Sequence, residues 1–168
     1  MMSEFVKAVR VVNSSPIQKA DMDDLEEILA LQKLAYQSEA ELNNDFSIPP
    51  LTQTLDEIRA EFGQSLFLKL AQDDRIIGSV RTYEKAGTCH IGRLIVHPAY
   101  QNLGIGSRLM HAIENNFNCR RFELFTSQRS ERNLYLYLKL GYREFKRVSL
   151  NEKVTLIFLE KLNGSYTS

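Results

Sequence analysis

The sequence predicts an α/β fold of seven strands and four helices, in the order β-α-α-β-β-β-α-β-α-β-β. Three observations predict it. Three β-rich runs follow one another in the middle of the chain, separated by DD and AG. An apolar strand runs into a glycine-rich turn and then a helical pattern. Proline or glycine stands where each earlier and later helical pattern stops.

Taken in order, Lys7 to Asn13 (KAVRVVN) is short and β-branched and reads as a strand. Asp21 or Asp23 is placed to cap a helix through DLEEILALQKLAYQSEAEL, whose Leu25, Ile28, Leu29 and Leu31 share a face. Pro49 and Pro50 break it, since proline cannot continue a helix. Thr52 or Thr54 starts a second helix to about Phe62, and Gly63 ends it. SLFLKLAQ, RIIGSVRTYEK and TCHIGRLIV then form an antiparallel meander. After the glycine turn comes a helix to about Asn116, the strand RFELFTS, and the helix SERNLYLYLKLG with Gly141 near C′. REFKRVSL and KVTLIFLEKL are the last two strands.

Composition bounds the function. Hydrophobic residues make up 43% and charged residues 25%, ordinary values for a globular protein. Lys+Arg and Asp+Glu both number 21, so net charge does not argue for nucleic acid, and no basic helix is present to bind it. MMSEFVKAVRVV has no long apolar run, which argues against a signal peptide, and no stretch approaches the roughly 20 apolar residues of a membrane span. A cytoplasmic protein with no membrane partner is expected. Cys89 and Cys119 have no metal-ligand spacing, so no metal is expected, and free thiols fit better than a disulfide. Charge is uneven: from Asp21 to Glu61 eleven acids face two bases, Lys33 and Arg59, while Arg120 to Lys161 holds ten bases and five acids. The acidic stretch is either a solvated helix surface or a pole that attracts a cation.

The turn QNLGIG suits an anion. The first N–H groups of a helix have no internal partner, and the helix dipole adds partial positive charge. Gly104 and Gly106 let a phosphate approach the backbone, and Ser107 adds a hydroxyl. A dinucleotide-binding turn is disfavoured, because Leu109 replaces its third glycine and a meander precedes the turn. A P-loop is disfavoured because Ile105-Gly106-Ser107 lacks lysine. A nucleotide-dependent oxidoreductase is therefore a poor reading.

"RLIVHPAYQNLGIGSRLM" resembles motif A of the GNAT N-acetyltransferase family, whose turn reads Arg/Gln-x-x-Gly-x-Gly/Ala, here Gln101 to Gly106. The lead-in Val96, Pro98, Tyr100 and Gln101 matches too. "SERNLYLYLKLGYREF" looks like the family's second cofactor motif, a Tyr four residues before Gly-Tyr. The likeness runs from about residue 7 to 161, so residues 1–168 are expected to be one N-acetyltransferase domain. The resemblance implies a mixed, mostly antiparallel central sheet flanked by helices, and acetyl-CoA as co-substrate.

Site residues follow from the match. Gln101, Asn102, Leu103, Gly104, Ile105, Gly106 and Ser107 are expected at the diphosphate, and Leu94, Ile95 and Val96 at the pantetheine arm through their main chain. A backbone N–H near Leu94 or Ile95 would steady the oxyanion. Tyr137 matches the general acid that protonates the departing thiolate, and Asn133 a position that contacts the CoA arm. Tyr135 falls on a different helix face. Eleven residues before Gln101, where some members carry a glutamate base, this chain has His90. Neutral imidazole accepts a proton near neutral pH. Glu84, Tyr83 and a water chain are alternatives, while His97 and His111 look structural or exposed. Glu39, Glu41, Asp45 and Phe46 are expected acceptor contacts, and Arg108 is the base nearest the turn for the CoA 3′-phosphate.

The implied activity is transfer of acetyl to a primary amine on a small molecule or peptide by direct attack in a ternary complex. A small cationic amine would suit the acidic stretch. The alternative is a non-catalytic acyl-CoA-binding sensor module. A Cys89–His90 nucleophile is disfavoured because adjacent strand residues point to opposite faces. A homodimer is common for this fold.

Overall fold

Two hairpin turns shape the centre of the molecule. Asp73 and Asp74 take φ of 50° and 60°, and Ala86 and Gly87 take 52° and 81°. Two consecutive left-handed residues give the primed turn whose twist matches flanking strands. They join β2 (Leu66–Gln72), β3 (Arg75–Lys85) and β4 (Thr88–Val96) into the expected meander. The structure is a computed structural model, and it describes residues 3, 4, 6 and 14–168.

Among the described residues the first strand is β1 (Ile17–Lys19), which pairs antiparallel with β2. The strand expected over Lys7 to Asn13 lies outside the described residues. β5 (Arg121–Ser127), β6 (Arg143–Ser149) and β7 (Thr155–Leu162) complete a seven-stranded sheet in the order β1-β2-β3-β4-β5-β7-β6. β4 and β5 are parallel and the other pairs antiparallel.

The first expected helix divides. Asp21 caps a 3₁₀ turn at Met22–Asp24 in a capping box with Asp24. α1 (Leu25–Ala35) stops at Tyr36, whose φ and ψ of −85° and −1° lie in the bridge region, and α2 (Gln37–Asn43) restarts beyond it. The two prolines open a short helix, α3 (Pro49–Thr52), because proline suits a first turn where its missing N–H is not needed. Thr54 and Glu57 form the capping box of α4 (Leu55–Phe62). Gly63 ends α4 with φ of −63°, in the ordinary right-handed region. α5 (Ile105–Asn115) follows the glycine turn, and α6 (Glu131–Lys139) precedes β6. At its end the Gly141 N–H bonds Leu138 O and the Tyr142 N–H bonds Tyr137 O, at 3.1 and 3.0 Å, a Schellman closure.

The sheet has a core on each face. Leu68, Leu70, Val80, Ile91, Leu109, Met110 and Phe122 pack on the α5 side, with Cys89 and Cys119 buried as free thiols. Leu25, Ile28, Ile58, Phe67 and Ile95 pack under α1 and α4. β4 changes parity between them: Cys89 and Ile91 face α5, and further along Ile95 faces α1. A bulge opposite Ser79–Arg81 causes the switch, with Arg93 held at φ of 50°. Such a conformation costs a non-glycine residue about 1–2 kcal/mol, so the surrounding sheet must hold it.

Candidate active site

The site begins where the sheet comes apart. β4 and β5 pair only at Thr88↔Arg121, Cys89↔Phe122 and His90↔Glu123. Beyond His90, β4 continues to pair with β3, while β5 from Leu124 pairs with β7 alone. A wedge therefore opens between parallel strands whose facing backbone groups lack sheet partners. An extended ligand can add itself to such edges like a strand.

Two cavities lie along this wedge. The first, about 580 Å³, is bounded by α1, α2, the end of β4, the glycine turn and α6. Leu94, Ile95, Val96, Gln101, Asn102, Gly104, Ile105, Gly106, Ser107, Asn133 and Glu39 line it. Leu103 instead packs against the α5-side core. Gly104 caps α5 with φ of 81°, and Arg108 N–H to Gly104 O, at 3.1 Å, is the first helical bond. The amides of Ile105, Gly106 and Ser107 thus precede that bond, and these residues line the cavity, an arrangement that suits an anion. A Cβ on Gly104 would meet nothing within 4 Å, while one on Gly106 would come within 3.3 Å of Leu136 Cδ2. Arg132, which donates to Gln101 Oε1, and Lys139 also line this cavity. Arg108 turns away to donate to Ser15 O at 2.5 Å.

The second cavity, about 410 Å³, opens beside the paired end of the wedge. His90, Tyr83, Glu61, Arg81, Arg93, Glu123, Phe125 and Phe158 contribute to it. His90 Nδ1 lies 3.1 Å from Glu123 Oε2, and Tyr83 stacks on the imidazole with centroids 4.9 Å apart. Glu123 also accepts from Arg121 at 2.7 Å. The stacked tyrosine and the carboxylate beside Nδ1 hold the ring in place, and a neutral imidazole with hydrogen on Nδ1 would have Nε2 free to accept a proton.

Tyr137 is buried beside Tyr142 on the α5 side and lines neither cavity. Burial pushes its hydroxyl well above the ordinary phenol range, reinforced by Tyr36 and the Glu39 charge. It therefore stays protonated, as a proton donor must. Burial also raises the Glu39 carboxyl, against the lowering effect of the hydrogen bond donated by Ser130.

Several expected contacts are corrected. Glu84 pairs with Cys89 in the register, one residue out of step with Tyr83 and His90, so it points to the other face. Glu41 and Phe46 are exposed and line neither cavity. Asp45 accepts from Ser47 N–H and hydroxyl at 3.0 and 2.5 Å, a local turn contact. Much of the acidic stretch is likewise committed internally. Asp24 pairs with Lys69 at 2.6 Å, Glu27 caps the Ile76 N–H at 2.7 Å, and Glu61 pairs with Arg81 at 3.0 Å. His97 caps its own turn by accepting from Ala99 N–H, and His111 is exposed.

Tyr36, Arg81, Arg93 and Glu123 were not expected from the sequence. Arg81 offered one signal, a cation at the end of the apolar run IIGSV, but strand alternation permits a solvent-facing arginine there.

Comparison with known proteins agrees with this architecture. The family model described as an acetyltransferase (GNAT) domain matches residues 34–162. The chain belongs to the GNAT acetyltransferase family. It is 28% identical over 131 residues to the UPF0157 protein YqkA of Bacillus subtilis, covering 77% of this chain and 38% of that protein. It is 32% identical over 96 residues to the mycothiol acetyltransferase of Nocardiopsis dassonvillei, covering 56% and 29%. The matched regions thus span about a third of those relatives' lengths. The PaiA N-acetyltransferase of Thermoplasma acidophilum, solved in complex with coenzyme A, shares the fold with a TM-score of 0.73 at 18% identity, covering 89% of this chain and 99% of that one. Among the described residues no helix is long and apolar enough to cross a membrane, and no group of three or more His, Cys, Asp or Glu is placed to hold a metal.

Proposed function

We propose that the chain is an acetyl-CoA-dependent N-acetyltransferase that moves the acetyl group to a primary amine by direct attack in a ternary complex. One observation carries this. A wedge of unpaired strand edges leads from the unbonded amides at the start of α5 to the His90–Glu123 pair. Family membership and the coenzyme A complex of the Thermoplasma relative support the donor.

The roles follow the geometry. Gln101 to Ser107 hold the diphosphate through backbone N–H groups, with Arg132 and Lys139 beside them. Leu94, Ile95 and Val96 offer main-chain groups to the pantetheine arm, and Asn133 flanks it. The amine enters from the second cavity, and His90 Nε2 takes its proton. A C–N bond forms, the C–S bond breaks, and the sulfur leaves as thiolate. Tyr137 is the group assigned to protonate that thiolate. Its ring is in the core, and Tyr36 and Glu39, the groups whose charge acts on its hydroxyl, line the first cavity. The chain acts in the cytoplasm as a soluble domain.

The test is free-thiol release from acetyl-CoA over a panel of amines, amino acids and N-terminal peptides, with acetyl-CoA binding measured separately. Turnover on one acceptor class supports the enzyme. Tight binding with no thiol released on any acceptor supports instead a non-catalytic acyl-CoA sensor.

A further inference from the structure

The second cavity holds an arrangement that a simple cationic acceptor does not explain. Arg81 is 3% exposed, on the floor of that cavity. Its Nη2 donates to Gln53 Oε1 at 3.1 Å, and its ring-side face lies 5.0 Å from the Phe67 centroid. Its Nε lies 3.0 Å from Glu61 Oε1 without hydrogen-bond alignment, and its Nη1 has no acceptor. Arg93, on the β4 bulge, lines the same cavity and leaves Nε buried without an acceptor. Its guanidinium leans on the Tyr36 ring, 6.0 Å from the centroid.

A buried donor without a partner loses its water without recompense, so such groups ordinarily find partners. Two guanidiniums also repel each other here. Burial and the Arg93 charge pull the Arg81 guanidinium down to about 10, against Glu61, which raises it. Glu61 is already shared with Gln53 at 2.9 Å, and Glu123 with Arg121 and His90. The cavity therefore has two cationic forks with spare donors on one side and a carboxylate–imidazole pair on the other. Phe125 and Phe158, with centroids 5.2 Å apart, give it an apolar wall.

The geometry points to an acceptor that is itself a zwitterion, an amino acid whose carboxylate is held by Arg81 and Arg93 while its amino group meets His90 beside Glu123. A carboxylate offers two oxygens, and arginine N–H groups meet such oxygens as charge-assisted hydrogen bonds. A small cationic amine without an anionic group would leave the spare donors on Arg81 Nη1 and Arg93 Nε without an acceptor. This assignment rests on the acetyl-transfer reading above and narrows its acceptor.

The test is calorimetric binding to the coenzyme A-saturated protein, and to the protein alone, of the standard α-amino acids. Each is set against its methyl ester and its decarboxylated amine, with phosphoethanolamine as a phosphate probe. At least one amino acid should bind tenfold or more tightly than its ester and amine, and Arg93→Gln should erase that difference. A merely structural Arg93 would alter the melting temperature and leave the acid-to-ester ratio unchanged. Equal binding of acid and ester across the panel overturns the assignment, as does preference for phosphoethanolamine, which would make the anion a phosphate. Thiol release on amines with no carboxylate preference overturns it while leaving the acetyltransferase standing. Failure to bind coenzyme A sinks the donor instead, and the acid-to-ester ratio remains readable on the protein alone.

Discussion

His90 Nδ1 lies 3.1 Å from Glu123 Oε2, and these residues form the last register pair before β4 and β5 separate. The proposed base and the carboxylate beside it thus stand at the apex of the wedge, where the proposed reaction would bring the thioester carbon and the amine together. His90→Gln should lower kcat by about 10²–10⁴-fold, the usual worth of a general base. Glu123→Gln should lower it less, because the imidazole remains. Steady-state thiol release decides it. A His90→Gln enzyme within twofold of the parent would move the base to a water chain.

Tyr137→Phe removes one hydroxyl and keeps the ring that packs with Tyr142. A kcat loss of about 10²-fold or more is expected, with acetyl-CoA affinity within twofold. Because burial holds the phenol protonated, the parent's rate should show no alkaline loss from this group across the ordinary phenol range. Equal rates for the two proteins would remove Tyr137 from the chemistry.

Glu39 makes a pH prediction. Burial raises its carboxyl in the folded chain above the unfolded value of about 4.3. The folded state therefore binds that proton more tightly than the unfolded state. Its stabilising effect is present below the unfolded value and is lost as pH rises through the folded one. Glu39→Gln should raise the melting temperature relative to the parent near about pH 7.5, and by less near about pH 4. The opposite ordering in thermal scans would show that the Ser130 hydrogen bond outweighs burial.

The two glycines of the turn should fail in different ways. Gly104→Ala finds open space but must hold φ of 81°, a cost of about 1–2 kcal/mol, so it should lower the melting temperature. Gly106→Ala has an ordinary backbone, but its methyl would press on Leu136 at 3.3 Å and stand 3.8 Å from Leu94. Both leucines line the first cavity. Gly106→Ala should weaken acetyl-CoA binding about tenfold with little thermal shift. Fluorescence titration and melting curves together separate the two outcomes.

Much of the central sheet was legible in the chain. DD and AG mark β2, β3 and β4 almost to the residue, because hairpin turns are local chemistry. The glycine turn was legible for the same reason. The break at Tyr36 was not, since no proline or glycine announces it. The Tyr36 ring at the break meets Arg93, on a strand far along the chain, a contact that no local sequence signal announces. Glu84 was misread because a single residue of register decides which sheet face it joins. Glu41 and Phe46 depended on how α2 leads into α3, a path with no sequence signature. Arg81 and Arg93 became visible only once a bulge and a cavity gave them a direction.

The wedge also bears on how the molecule holds together. Among the described residues, three register pairs form the seam between β1–β4 and the β5–β7–β6 group. Each group has its own antiparallel ladder, although one core on the α5 side is shared between them, so the seam is where amide hydrogen exchange is expected to divide the sheet. A substrate laid along both edges would lengthen that seam with its own hydrogen bonds and bind the two units into one. Occupancy would then register as slowed exchange on β4 and β5 together, including amides far from the glycine turn, and the substrate would act as part of the architecture it visits.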